Sequence, residues 1–541
     1  MSPIGPDHDW RVVRPDLKWQ ILRRSWRFFL WAMYSSVGSM MLGYDFGAAG
    51  TCTAFPSFVK QFGEPFEGSY LIPARVQSGW SGASTAGDIL GVLAGGYLID
   101  VIGRMQQGAS GWQLFLVGRL ISAFGFGIVF VNSPVWIGEV VRPELRGFFL
   151  CIMNGSIVLA QFILSCTAQG TSKINNDWSW KIIIILQYMF VGKFWDYLSI
   201  RNKLSTNSNV SLRQVPLIVF YPFFPESPYY LLKNNKNESA RNSLEKIWGK
   251  NDQELINAEM ERIQANVEFS EGMIAEAKLK GPLIVQAFQG INRKRSLIAM
   301  IPPAGQQMIG SAFVLTYITY FLELIGVTNY FLVSLILYIV MLISNLSAFF
   351  VVEVSGRRKL LVPGMIVLTL ICLIMGIMGC LTSKAAFWVS IVCIFLWAVF
   401  YQITIGAIGF ALSSEVGSLP LRPVTQSIVG VTQGVTGWVM GFVTPYIINP
   451  DEGNMGAKIG FVFFGLGIIA SVLVFLYVPE TKGLNFDEID YLFASGTNPR
   501  RFQEAIAEYR ARGQSVKKED LAPKSISYEN EKEGIIVEQQ E

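Results

Sequence analysis

Gly95-Gly96-Tyr97-Leu98-Ile99-Asp100-Val101-Ile102-Gly103-Arg104 closes an apolar run with an acid, a glycine three residues later and then an arginine. Phe349-Phe350-Val351-Val352-Glu353-Val354-Ser355-Gly356-Arg357-Arg358 closes a second apolar run with the same spacing. A further pair keeps step with each loop: Glu139 and Arg146 follow the first, Glu415 and Arg422 the second, seven residues apart in both cases. One such loop would mark only a basic turn between spans, whereas two matched sets mark a chain of two related halves. Arginines at such turns can clamp carboxylates and the carbonyls of helix C-termini. Asp100, Gly103, Arg104, Glu139 and Arg146, with Glu353, Gly356, Arg357, Arg358, Glu415 and Arg422, are expected to form gating ion-pair latches on the cytosolic face, closed only while the opposite mouth is open.

Composition agrees with that reading. Of 541 residues, 51% are hydrophobic and 16% charged, against roughly 25% charged in soluble domains. Apolar runs at 28–50, 77–99, 113–135, 148–168, 297–322, 329–352, 360–381, 388–411, 425–448 and 458–478 are each close to the about 20 residues that cross a hydrocarbon core. The fold class is all-α, a polytopic protein whose first partner is the lipid bilayer. A net charge of +4 carries no argument for nucleic acid, since the basic residues sit in loops. Six cysteines are scattered without metal-ligand spacing, and the lone histidine, His8, lies in the polar N-terminal tail. No metal, cofactor or nucleophile and base pair is indicated, so the chain does not read as an enzyme.

The chain divides into a tail 1–27, a first bundle 28–225, a linker 226–296 with short helices, a second bundle 297–478 and a largely disordered tail 479–541. Arg11, Arg14, Lys18, Arg23, Arg24 and Arg27 hold the N-terminus in the cytosol by the positive-inside rule, and the C-terminus is expected there too.

Two irregularities break the repeat. Gly356 to Glu415 is 59 residues and holds two apolar runs; Gly103 to Glu139 is 36 residues and holds one. The missing 23 residues amount to about one crossing. Conversely, the run that starts at Lys181 stops at Gly192, and apolar character resumes at Val215. No bilayer accepts 23 polar residues in mid-helix, so 192–214 reads as an insert. Gly192-Lys193-Phe194 can be encoded by GGT-AAG-TTT, which contains a splice-donor-like GTAAGT, and Gln214 can be CAG. A retained intron there, with a third span lost after Arg104, would leave about eleven spans.

Polar groups inside apolar runs mark function, because each is costly to bury alone. Asp45 near the end of the first run and Arg119 in the third are expected to pair, the alternative being an Arg119 that reaches the interface. Gln161 is either a helix contact or a solute contact. Gln306 and Gln307, followed by Tyr317 and Tyr320, point about 100° apart on one helix, and paired amides suit vicinal hydroxyls. Gln402 lies among Trp397, Phe400, Tyr401 and Phe410, and Gln433 is the last such amide.

Gly43-Tyr44-Asp45, Asp100-x-x-Gly-Arg104, Gly118-Arg119, Pro134 with Glu139 and Arg146-Gly147, Pro225-Glu-Ser-Pro228, Gln306-Gln-x-x-Gly310, Glu353-x-x-Gly-Arg-Arg358 and Pro479-Glu-Thr-Lys-Gly483 together resemble the sugar porter family of the major facilitator superfamily. Arg75-Val-Gln-Ser-Gly79, and Pro445-Tyr446 with Asn449-Pro450 and Asn454, resemble its fungal maltose and α-glucoside proton-symporter branch. The resemblance implies two six-helix bundles, nominally twelve helices, around a central sugar site. It implies that Gln161, Gln306 and Gln307 contact sugar, that Gln402 and Gln433 occupy contact positions, and that Asp45 and Arg119 couple protons. The expected protein is a plasma-membrane monomer that takes up an α-glucoside or hexose with protons. The alternatives are a non-transporting sugar sensor of the same fold and an inactive product of a mis-spliced or mis-predicted gene.

Overall fold

The computed structural model describes residues 26–94, 113, 116–117, 119–120, 123, 136–137, 140–141, 146–187, 224–250, 252–279, 281–381, 383–418, 421–484 and 486–511. Asp100, Gly103, Arg104 and Glu139, the place of the lost span and the insert 192–214 lie outside them, and of Arg146 and Glu353 only the backbone is described.

The first half begins with α1 (Trp26–Ser35) and α2 (Val37–Cys52). They join at Ser36, whose hydroxyl donates back to the Ala32 carbonyl at 2.8 Å, a local bond that eases a bend. After α3 (Pro56–Phe62) comes a hairpin, β1 (Glu64–Phe66) and β2 (Ser69–Leu71), antiparallel with Glu64 opposite Leu71. Its two-residue turn is Glu67-Gly68, both at positive φ (46° and 82°), which matches the right-handed twist of the strands. The half continues with α4 (Ala74–Ala94), α5 (Arg146–Thr171) and α6 (Trp178–Gln187).

The linker holds α7 (Pro228–Lys233), α8 (Asn237–Trp248), α9 (Gln253–Leu279) and α10 (Leu283–Ala287). The expectation of short helices fails for α9, which runs 27 residues. Leu244, Ile247, Ile256 and Ile263 of these helices pack with Phe28, Trp136 and Phe149 of the first half, so apolar stripes at helical spacing fasten the linker to that bundle.

The second half comprises α11 (Gly290–Met308), α12 (Ser311–Leu324), α13 (Tyr330–Ser355), α14 (Arg357–Met378), α15 (Lys384–Tyr401), α16 (Ala407–Val416), α17 (Arg422–Ile448) and α18 (Ile459–Tyr477). The run 297–322, read as one helix, is broken after the glutamine pair, where Gly310 takes φ +90° between α11 and α12. A side chain at Gly310 would be strained there and would press on the Phe463 ring. The run 388–411 likewise contains a π-turn, Gln402–Gly406, between α15 and α16. Six stretches of described helix are long and apolar enough to cross a membrane.

The tail corrects a second expectation. Residues read as disordered form α19 (Phe486–Ala494) and α20 (Phe502–Ala511). Ile489, Leu492, Phe493, Phe502 and Ile506 are buried in the core of the second half; spaced three and four apart, they give each short helix one apolar face. Residues 512–541 lie outside the described residues.

Among the described residues, the main helix pairs that cross between the halves are α2 with α12, α4 with α17, α5 with α13 and α5 with α16. The α2 and α12 backbones come so close that a Cβ at Gly50 would collide with the Thr316 carbonyl oxygen, the kind of approach that small residues permit between membrane helices.

Candidate functional site

Asp45 and Arg119 meet inside the first half. Asp45 on α2 is fully buried, Arg119 is 3% exposed, and Arg119 Nη1 donates to Asp45 Oδ1 at 2.7 Å. Ser84 on α4 ties the pair together: its hydroxyl donates to Asp45 Oδ2 at 2.8 Å and accepts from Arg119 Nη2 at 2.9 Å. Gln187, at the end of α6, donates a further bond to Asp45 Oδ1. Ion pairs taken out of water hold only when such extra bonds satisfy the remaining lone pairs and protons. One turn beyond Ser84, Asp88 lies within electrostatic reach of both partners, and its buried Oδ1 makes no hydrogen bond among the described residues.

The amides are placed less uniformly. Gln161 on α5 is fully buried, and neither its Nε2 nor its Oε1 has a hydrogen-bond partner among the described residues. Gln306 Nε2 donates to the Ile405 carbonyl at 3.0 Å, in the π-turn, and Gln307 Oε1 accepts from Ser311 Oγ at 2.9 Å. The side chain of Gln307 lies against Gly437 of α17. Tyr317 donates to the Gly441 carbonyl at 3.3 Å and lies within electrostatic reach of Arg119. Gln402 is committed between helices: its oxygen accepts from Asn154 Nδ2 at 3.0 Å and from Asn345 Nδ2 at 3.3 Å. Gln433 is half-buried on α17.

The end of the bundle that carries the hairpin is clasped across the halves mainly by neutral groups. Asn449 Oδ1 accepts from Gln77 Nε2 at 3.1 Å and from the Tyr320 hydroxyl at 2.7 Å, and Asn449 Nδ2 donates to the Ile72 carbonyl at 2.9 Å. Nearby, Ser78 Oγ donates to the Phe442 carbonyl at 2.6 Å and the Ala74 amide donates to Asp451 at 2.9 Å.

The opposite end, which carries the linker, is charged. Arg357 Nη2 pairs with Glu415 Oε1 at 2.9 Å, and Thr481 donates to the other Glu415 oxygen at 2.5 Å. Glu480 accepts from the Arg357, Arg358 and Lys359 amides at 2.9, 3.1 and 3.3 Å, an anion seated on the N-terminus of α14. Arg358 caps α18 by donating to the Phe475 and Val478 carbonyls. Arg295 pairs with Asp490 and donates to the Val416 carbonyl at 2.8 Å, and Arg422 lies within reach of Asp490 and Glu415.

Sequence reasoning pairs Asp45 with Arg119 but passes over Ser84, Asp88 and Gln187 around them. Ser84 and Asp88 carry a signal, a polar pair one turn apart in a small-residue helix; Gln187 lies at the edge of the interrupted run. Glu480 stands in a motif to which the sequence alone assigns no role. Arg357–Glu415 is formed in the same structure in which the hairpin end is clasped. Both partners belong to the second half, so rocking one half against the other leaves their distance alone.

The pattern of the family described as Sugar (and other) transporter matches residues 31–194 and 210–493. The chain belongs to that family. This sugar transporter family member is 28% identical over 508 residues to the high glucose sensor of Saccharomyces cerevisiae, covering 88% of this chain but only 62% of the sensor's length. It is 26% identical over 523 residues to the general alpha-glucoside permease of the same yeast, covering 92% of this chain and 80% of the permease. In fold it is similar to the partially occluded, inward-open xylose transporter XylE of E. coli, with a TM-score of 0.63 and 18% identity over 85% of this chain and 100% of that one. The architecture is therefore the major facilitator fold of a multi-pass membrane transporter.

Proposed function

We propose that this chain carries a sugar, an α-glucoside or a hexose, together with protons across the plasma membrane by alternating access, with the linker end cytosolic. The observation that carries the reading is the dry Asp45–Arg119 pair. A carboxylate that must leave an arginine to accept a proton, and must give the proton up to regain it, couples proton movement to any solute that shifts the two apart. Gln161 supports the solute half, since a buried amide with both ends unpartnered is stable only when something else completes its hydrogen bonds. Gln306 and Gln307 on α11 and Tyr317 on α12 are the second half's contribution to the same reading. The named activities of the α-glucoside permease and of the proton:xylose symporter agree with this reading. Uptake of labelled maltose and glucose by a transporter-deficient host, with and without a protonophore, tests it. Uncoupler-sensitive accumulation is expected, and uptake that only equilibrates removes the proton from the proposal.

Likeness to the glucose sensor favours a second reading, a protein that binds sugar and signals without moving it. Sugar binding to the purified protein with no uptake in the same host would select it.

The irregular segments bear on both readings. The family match stops at 194 and resumes at 210, within the segment read as an insert, which supports the proposal that 192–214 is a retained intron. Transcript sequencing decides it: a message encoding this chain, whose product reaches the membrane and transports, ends the proposal.

A further inference from the structure

Beside the neutral clasp lies a cavity of about 260 Å³ that both halves line. Thr53, Tyr70, Leu71 and Ile72 come from the α2 and hairpin side, and Tyr320 and Glu323 from α12. Glu323 Oε2 is buried and has no hydrogen-bond partner among the described residues. A carboxylate oxygen without a donor has as its natural complement a group with donors to spare. The chemistry of the wall narrows what that group is. Metal binding wants several oxygen or nitrogen side chains at short range, and this cavity offers one acid. It offers two tyrosine rings, a threonine hydroxyl and the carboxylate, a set that suits a polyol with vicinal hydroxyls on one side and a C–H face on the other. At about 260 Å³ the cavity has room for one sugar ring.

We propose that this cavity is a second sugar site, a vestibule at the hairpin end in which Glu323 accepts hydroxyl hydrogen bonds from one pyranose ring before the ring moves to the central amides. The proposal rests on the reading that the transported solute is a sugar. The Tyr320 hydroxyl is already bonded to Asn449 of the clasp at 2.7 Å, so a ring against Tyr320 touches the contact that must open to let it pass. Because the walls come from both halves, the site is complete only while they are close at this end.

Val59, which also lines the cavity, provides a reporter that leaves every polar group in place. In the full-length protein in lipid nanodiscs, the thiol of Val59→Cys is alkylated with a water-soluble maleimide and followed by peptide mass spectrometry, with maltose or glucose as the probe. Sugar is expected to slow alkylation at least threefold. The protection is expected to persist in Val59→Cys with Gln161→Ala and to vanish in Val59→Cys with Glu323→Ala. Protection that survives Glu323→Ala, or an introduced thiol that never reacts, overturns the vestibule. Protection lost with Gln161→Ala assigns the effect to the central site and overturns it equally. If neither sugar protects in any background, wild-type uptake separates the two failures: uptake without protection removes only the vestibule, and no uptake removes the sugar reading and the vestibule with it.

Discussion

The two halves repeat a sequence pattern, yet among the described residues their ion pairs differ in depth and position. In the first half the described ion pair with almost no exposure is Asp45–Arg119, at 0% and 3% of their side chains, deep among α2, α4 and α6. In the second half the pairs gather at the linker end, where Arg357 and Glu415 are each 19% exposed, while the interior carries the neutral amides Gln306, Gln307 and Gln402. On the proposed reading the deep pair persists because a change in its charge state moves a proton, whereas a pair at a helix end can be explained by turn geometry and capping alone.

The largest expected effect follows from the deep pair. Asp45→Asn removes the proposed proton carrier and breaks the dry pair with Arg119, a change that costs about 3–5 kcal/mol when a buried pair is broken. Accumulation of labelled sugar against its gradient should fall to simple equilibration, while exchange of internal for external sugar continues at a measurable rate. Accumulation that survives in Asp45→Asn at normal surface expression would erase the contrast between the halves.

Next come the amides, which test whether solute recognition is shared across the halves. Gln161→Ala in the first half and Gln306→Ala in the second each remove a hydrogen-bonding group worth roughly 1–3 kcal/mol in a dry site, about tenfold to a hundredfold in affinity. The half-saturation constant should rise by that factor in both variants. A shift with Gln306→Ala alone would confine recognition to the second half and make Gln161 a packing residue.

What could be read without coordinates follows the same division. Periodicity and hydropathy sufficed for the fold class, all-α and membrane-embedded, because a bilayer forces length and apolarity on each helix separately. Asp45 and Arg119 were legible as partners because an acid and a base in apolar runs have few other ways to be tolerated. Ser84, Gln187 and Asn449 were not, since a small polar residue in a helix has many local uses and only the packing of distant elements selects one. The break at Gly310 and the π-turn at Gln402 were missed for a related reason: hydropathy does not register a local change of hydrogen-bond pattern that neighbouring helices stabilise. The helices of the 486–511 segment were hidden by its charged composition, although Ile489, Leu492 and Phe493 hold the stripe that docks it.

A smaller effect is expected where the halves touch. Asn449→Ala deletes three hydrogen bonds, to Gln77, Tyr320 and Ile72, each worth about 0.5–1.5 kcal/mol net, and a two-state equilibrium moves by whatever is lost from one state only. Cysteines placed along α4 below the hairpin should become about tenfold more reactive to a maleimide added from that side. Unchanged reactivity would mean that the clasp is equally satisfied in both states and gates nothing.

The smallest effect belongs to Arg357→Ala, and its size is the sharpest check on the contrast. Arg357–Glu415 joins the start of α14 to the end of α16, both within the second half, and Glu415 keeps a bond from Thr481 when the arginine is gone. Partly exposed pairs contribute about 0–1 kcal/mol, and the α14 N-terminus retains Glu480 on its amides. Thermal unfolding of the second half should therefore shift by only a few degrees, and maleimide reactivity at the hairpin end should match wild type, because Arg357 and Glu415 both belong to the second half. Turnover should fall less than threefold, with the half-saturation constant unchanged. A large change in reactivity at the hairpin end, comparable to that of Asn449→Ala, would show that this pair does sense the position of the first half; the latch would then be inter-bundle after all, and the division between a working charge in one half and structural charges in the other would have to be abandoned.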